Sequence, residues 1–149
     1  MKAADPDFAA RVQASFDRQA AMHTLGATLE SVEPGHVVVA MGHQAALTQQ
    51  HGFLHAGMLA AALDSACGYA AFSLMPADAA VLTIEFKINL LAPARGPRFR
   101  MEGRVAKPGR TISVVDGRAV QLAEDGSEQL IATMTATVMT VHGRDGVHH

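Results

Sequence analysis

Tryptophan is absent from this 149-residue chain, which has one tyrosine, one cysteine and six phenylalanines. A lone cysteine, Cys67, excludes an internal disulfide and fits a reducing, cytoplasmic setting. Charge is sparse as well: 17% of residues are Asp, Glu, Lys or Arg, and the formal net charge is −2. That balance excludes nucleic-acid binding by bulk electrostatics. Long charge runs and low-complexity tracts are missing, which argues against disorder. With 49% of residues hydrophobic, a chain of this length has enough apolar surface for one domain. The N-terminus has no apolar stretch of the kind a secretory signal needs.

One long apolar run is present, from Ala56 to Met75, and Asp64 interrupts it. A carboxylate at the centre of a membrane span costs about 2.5 to 3.5 kcal/mol. The run is also rich in Ala and Gly, so it is read as a buried helix outside any membrane.

The element pattern is clear along most of the chain. Asp5-Pro6 is a helix start, and Phe8, Val12 and Phe16 recur every four residues, predicting a first helix over 6–22 that ends near Gly26. Short strands are expected over 27–33 and 36–41, around a Pro34-Gly35 turn. A loop over 43–54 precedes a second helix over 55–74, with Leu59, Leu63, Ala66 and Ala70 on one stripe and Pro76 as its stop. From residue 80 the period changes to two. Leu82, Ile84, Phe86, Ile88 and Leu90 alternate with polar residues, as do Phe99, Met101, Gly103 and Val105, so both are expected to be half-buried strands with the apolar side chains on the covered face. Two more strands, over about 110–123 and 129–142, follow the turns at Pro108-Gly109 and Asp125-Gly126. The expectation is α+β: a long helix covered by an antiparallel sheet, with the last four strands in a meander. The core should span about 25–142, with an N-terminal helix in 1–24 and a tail over 143–149.

Three features bear on chemistry. Asp64 is the only charge on an apolar helix, and Ala60, Ala61, Cys67 and Gly68, its neighbours one turn away, are all small. Such a carboxylate either bonds a backbone group or serves a ligand in the open groove above it. Second, His55, Ala56 and Gly57 fall at the start of that helix, where backbone N–H groups lack intrahelical partners and favour negative charge. They are either an ordinary helix start or donors to a developing oxyanion. Ala56 and Asp64 are eight residues apart, roughly 12 Å along the axis. One substrate carbonyl cannot touch both in a single chain, so joint action requires two subunits. Third, eight of the twelve Lys and Arg residues lie between Lys87 and Arg118, opposed only by Glu102 and Asp116. This stretch is either a solvated sheet face or a surface for an anionic partner. Metal chemistry is not expected: His51 and His55 are four apart but span a glycine ahead of the helix. Ser65 lacks the glycines of a nucleophile elbow, and Cys67 fits packing.

The stretch from Gln49 to Asp64, with "ACGYAA", "TIEFKINLLAPARG" and "GRVAKPGRTISVVDG" after it, resembles the PaaI-like (phenylacetyl-CoA thioesterase-like) branch of hotdog thioesterases over residues 25–141. The resemblance implies a hotdog fold, homodimers with shared active sites, often homotetramers, and metal-free hydrolysis of acyl-CoA, with coenzyme A present only as part of the substrate. It implies that Asp64 is the catalytic carboxylate. Ala56 stands where relatives have a glycine whose backbone N–H serves the oxyanion, in His55-Ala56-Gly57 rather than His-Gly-Gly. Gln49 stands where relatives have an Asn that orients water or thioester, and Thr83 where a Ser or Thr helps hold water. Arg95, Lys107, Pro108, Gly109 and Arg110 fall in the region that meets the coenzyme A nucleotide. The expected activity is hydrolysis of an aryl- or medium-chain acyl-CoA. A non-catalytic acyl-CoA-binding protein and a hotdog enoyl-CoA hydratase are the alternatives.

Overall fold

A computed structural model describes all 149 residues. Helices α1 (Phe8–Asp17) and α2 (Ala20–Leu25) lead into strands β1 (Thr28–Glu33) and β2 (His36–Gly42). A short 3-10 turn at Ala45–Leu47 precedes the long helix α3 (Ala56–Phe72). Strands β3 (Ala80–Leu90), β4 (Arg98–Lys107), β5 (Ile112–Leu122) and β6 (Glu128–Val141) complete the chain. All six strands join one antiparallel sheet in the order β1-β2-β4-β5-β6-β3. No helix is long and apolar enough to cross a membrane.

Helix α3 lies on the concave face of this sheet. Its stripe of Leu59, Leu63, Ala66 and Ala70 is buried to 2% exposure or less, and full burial of each leucine is worth about 1.5–3 kcal/mol. Two strand glycines set the approach distance. A side chain at Gly103 would strike the α3 backbone at Ala66 and Cys67, and one at Gly117 would crowd Cys67 and Leu63. Val37, Val39, Met101, Val115 and Val138 form the sheet side of the core.

Three expectations are corrected here. The predicted helix over 6–22 is two helices, broken at Arg18-Gln19, where Gln19 takes an extended backbone (φ −81°, ψ 95°). No proline or glycine announces that break. The four-strand meander holds only for β4, β5 and β6. Strand β3 crosses to the far edge beside β6, because residues 91–97 form a long connection and not a tight turn.

The third correction concerns the faces of β3. A bulge between Thr83 and Glu85 shifts its register on β6. Before the bulge Thr83 pairs with the buried Val138; after it Phe86, Ile88 and Leu90 pair with Ala136, Met134 and Ala132. Thr83 therefore points toward α3, and Leu82 points away. The alternating apolar side chains are not a buried face: Leu82, Ile84, Phe86 and Leu90 are 37%, 53%, 42% and 55% exposed.

Candidate functional site

The start of α3 is fixed by the loop before it. His55 N–H donates to Leu47 O and Leu54 N–H to Ala94 O, each at 2.9 Å. His55 is the N-cap, and its Nδ1 accepts from Gly57 N–H at 2.8 Å. A side chain at Gly57 would press on that imidazole. The cap occupies the Gly57 N–H, and the Ala56 N–H makes no hydrogen bond. Of the three residues expected to supply oxyanion donors, only Ala56 thus offers a free amide. Gln49 Oε1 accepts from His51 N–H at 2.5 Å, which leaves its side-chain NH₂ uncommitted. Gln49, His55, Ala56, Leu59 and Leu90 border a cavity of about 460 Å³, eight of whose eleven lining residues are hydrophobic.

Asp64 sits two turns further along α3. Its Oδ1 is fully buried without a partner, a costly state for a polar atom. Burial raises its pKa above the usual carboxylate value, and the nearby Thr83 hydroxyl acts more weakly in the opposite direction. The β3 bulge is what turns Thr83 toward this carboxylate. Asp64 and Thr83 share a second cavity of about 300 Å³, with Gln19, Ser65, Gly68 and Tyr69 also in its wall. The two cavities are distinct in the single chain.

The basic residues also divide. Arg95 stacks on Phe53 at 4.6 Å, close to the cavity at the start of α3. Pro108, Gly109 and Arg110 border a different hollow with Leu74, Met75 and Pro76, beyond the end of α3. Lys107 closes β4 just before them and is exposed. Arg100 is committed to Glu30 at 3.1 Å and Glu128 at 2.8 Å. Cys67 is buried, and burial, with the Asp64 and Asp116 charges, pushes its thiol up to about 12. It is protonated at neutral pH and not a nucleophile.

Sequence reasoning missed Gln19 and Tyr69 as neighbours of Asp64. Tyr69, one helical turn and a residue beyond Asp64, could have been found from spacing. Gln19 could not, since it reaches the cavity only because the first helix breaks beside it.

Residues 51–126 match the thioesterase superfamily. A thioesterase family protein from Silicibacter pomeroyi is 55% identical in sequence, covers 91% of this chain and 99% of its own, and superposes with a TM-score of 0.89. The PaaI protein of the E. coli phenylacetic acid degradation operon has the same fold, with a TM-score of 0.82 over 92% of this chain and 95% of its own, at 22% identity. A candidate esterase of Saccharolobus solfataricus is 34% identical over 76% of this chain and 72% of its own length. A second one from that organism is 36% identical over 58% of this chain, and the match spans 61% of its length. The chain belongs to the thioesterase superfamily and has the hotdog fold, a long helix held in a curved antiparallel sheet.

Proposed function

We propose that this protein is an acyl-CoA thioesterase that hydrolyses an aryl- or medium-chain acyl-CoA to the free acid and coenzyme A, at sites shared between two subunits. The observation that carries this is the pair of unspent groups on α3: a helix-start N–H at Ala56 and a half-buried carboxylate at Asp64 whose Oδ1 has no partner. They lie roughly 12 Å apart along the helix, so a second copy must bring them together.

Strand β3 offers the means. It is an eleven-residue sheet edge with exposed Leu82, Ile84, Phe86 and Leu90. Unprotected apolar edges of this length invite pairing. Antiparallel pairing of β3 with its own copy, about an axis near mid-strand, sets residues 81–83 of one subunit beside residues 89–91 of the other. The first group borders the Asp64 cavity and the second the Ala56 cavity. One interface thus joins the two half-sites, twice per dimer.

In the joined site the thioester oxygen accepts from the Ala56 N–H, and the dipole of α3 favours the charge that develops there. Asp64 of the partner subunit takes a proton from water as the water oxygen bonds to the acyl carbon. The C–S bond then breaks, and the thiolate leaves and takes up the proton. The alternative route has Asp64 attack directly, giving a mixed anhydride that water opens. Its raised pKa makes Asp64 a stronger base or nucleophile than an exposed carboxylate. Thr83 and the free Gln49 amide orient water and carbonyl. The nucleotide end meets Arg95 and the Lys107–Arg110 turn. These lie at opposite ends of one α3, so a single nucleotide touches both only when they come from different subunits.

Thiol release from a panel of acyl-CoA thioesters of varied length and aromaticity tests this reading. We expect turnover by a dimer or tetramer, and no release from any member would overturn it. Single turnover in ¹⁸O-water separates the routes: label in Asp64 marks the anhydride, and label only in the product acid marks general base.

A further inference from the structure

Gln121, near the end of β5, is a buried amide with every hydrogen-bonding position in use. Its Oε1 accepts from Arg95 N–H at 2.8 Å and from Gly96 N–H at 3.0 Å. Its Nε2 donates to Gln129 Oε1 at 2.7 Å and to Pro93 O at 3.3 Å. Two successive backbone N–H groups thus converge on one oxygen, with Gly96 in the left-handed region at φ 80°. The rest of the connection between β3 and β4 has anchors of its own. Leu91 N–H donates to Ile131 O at 2.8 Å, Ala94 O accepts from Leu54 N–H at 2.9 Å, and Pro97 O accepts from His43 N–H at 2.8 Å. The Arg95 and Gly96 N–H groups have Gln121 as their only partner. Gln121 therefore fixes one short stretch of backbone, the stretch that carries the Arg95 side chain.

Arg95 stands at the mouth of the cavity at the start of α3, over the ring of the wall residue Phe53. It is exposed, and unlike Arg11, Arg100 and Arg104 it has no carboxylate partner. An unpaired guanidinium held against a ring is suited to a phosphate. A side chain of this length is only as well aimed as the backbone at its root.

We propose that Gln121 is a positioning residue for the nucleotide end of the substrate, its buried amide holding the 95–96 backbone so that the Arg95 guanidinium meets a phosphate of coenzyme A. The inference rests on the reading above, that the substrate is an acyl-CoA and that Arg95 meets its nucleotide. Gln121 itself touches no part of the substrate. An apolar side chain in its place leaves both amides without an acceptor, and the 95–96 stretch then turns toward water to find one, carrying the guanidinium with it. The neighbouring anchors at Ala94 and Pro97 stay in place, so the loss is confined to what Arg95 does.

The test takes one acyl group that wild type cleaves and measures kcat/KM for its coenzyme A thioester and its pantetheine thioester, which lacks the nucleotide. Wild type, Gln121→Met, Arg95→Ala and the double variant are compared. Wild type should prefer the coenzyme A thioester by about tenfold or more. Gln121→Met, of similar length, and Arg95→Ala should each cut that preference about tenfold, through KM rather than kcat, the effect of one lost charge-assisted hydrogen bond. The double variant should cut it no further than Arg95→Ala alone, since a residue that acts through Arg95 then has nothing to act on. A merely structural role would lower both rates together and leave the preference standing. Circular dichroism melts identify a Gln121→Met protein that fails to fold, and Gln121→Asn, which keeps an amide but is too short to reach the loop, then replaces it. A preference that survives the change at Gln121 while Arg95→Ala removes it, or two losses that multiply in the double variant, would overturn the inference alone. A preference that survives Arg95→Ala would take Arg95 from the nucleotide and the inference with it. No thiol release from any acyl-CoA would overturn the thioesterase reading as well.

Discussion

The two ends of α3 are built by opposite rules. At its C-terminal end nearly every polar group is satisfied. Arg11 reaches from α1 to the carbonyls of Phe72, Met75 and Pro76 at 3.4, 2.7 and 3.0 Å. Its guanidinium lies 4.2 Å over the Phe72 ring and forms an ion pair with Asp5 at 2.9 Å. Ser73 Oγ donates to Ala70 O at 2.7 Å and accepts from Gly35 N–H at 2.8 Å. A cation and donors at a helix C-terminus are what the dipole favours. In the N-terminal half the Ala56 N–H and Asp64 Oδ1 have no partner at all. One half of the helix is fastened and the other is left unsatisfied, where the proposed site would receive a ligand and a second subunit.

Substitutions at the two ends should therefore fail differently. Asp64→Asn keeps the shape and removes the base, so kcat should fall about 10³-fold, within the range of lost general-base catalysis. Near-normal thiol release would remove Asp64 from the chemistry. Arg11→Ala should leave turnover per folded molecule unchanged and cost about 2–3 kcal/mol of stability, as a mostly buried pair is broken and helix carbonyls lose their donor. Urea denaturation measures this, and a variant as stable as wild type would deny that this end is the fastened one. Ala56→Pro removes one N–H from the first helical position, where proline fits. His55 already has the extended backbone (φ −61°, ψ 135°) that a residue before proline needs. We expect kcat/KM to fall about 10²-fold, the effect of one lost oxyanion donor, with the melting temperature nearly unchanged. A large loss of stability with unaltered kinetics would reverse the roles assigned to the two ends.

The smallest effect is electrostatic. Burial raises the Asp64 pKa, so the native state binds this proton more tightly than the unfolded chain. Its contribution to stability is complete below the unfolded pKa and is lost as pH rises through the folded value. Asp64→Asn should melt above wild type at neutral pH, with the gap closing as pH falls into the ordinary carboxylate range. The acid limb of the wild-type kcat/KM profile should lie above that range as well. A variant that melts lower than wild type at neutral pH would show that the ionised Asp64 is stabilised by contacts within the fold.

Much of this was legible in the residues. The expected helix over 55–74 is α3 at Ala56–Phe72, and the turns at Pro108-Gly109 and Asp125-Gly126 do separate consecutive hairpins. Both are local signals, a helical stripe and turn dipeptides. What escaped is not local. The alternation from Leu82 to Leu90 says that one face is apolar, but not whether its cover is the chain's own core or another copy. The bulge after Thr83 resets the alternation, so a threonine on the nominally polar face turns inward beside Asp64. The side-chain cap by His55, which removes Gly57 and leaves Ala56 as the free amide, depends on a ring orientation that sequence does not encode. Arg95 and the Lys107–Arg110 turn are close in sequence, yet strand β4 carries them to opposite ends of α3.

Complementation between subunits tests the central claim most directly. Ala56→Pro and Asp64→Asn proteins, each nearly inactive, would be mixed in equal amounts, unfolded and refolded together, and assayed for thiol release. If the Ala56 amide and the Asp64 carboxylate act across the interface, half of the dimers are mixed and each holds one intact site. The mixture should then recover about a quarter of wild-type activity, as two-fold symmetry requires. Activity no higher than the mean of the two variants, with mixed dimers present by native mass spectrometry, would contradict a shared site.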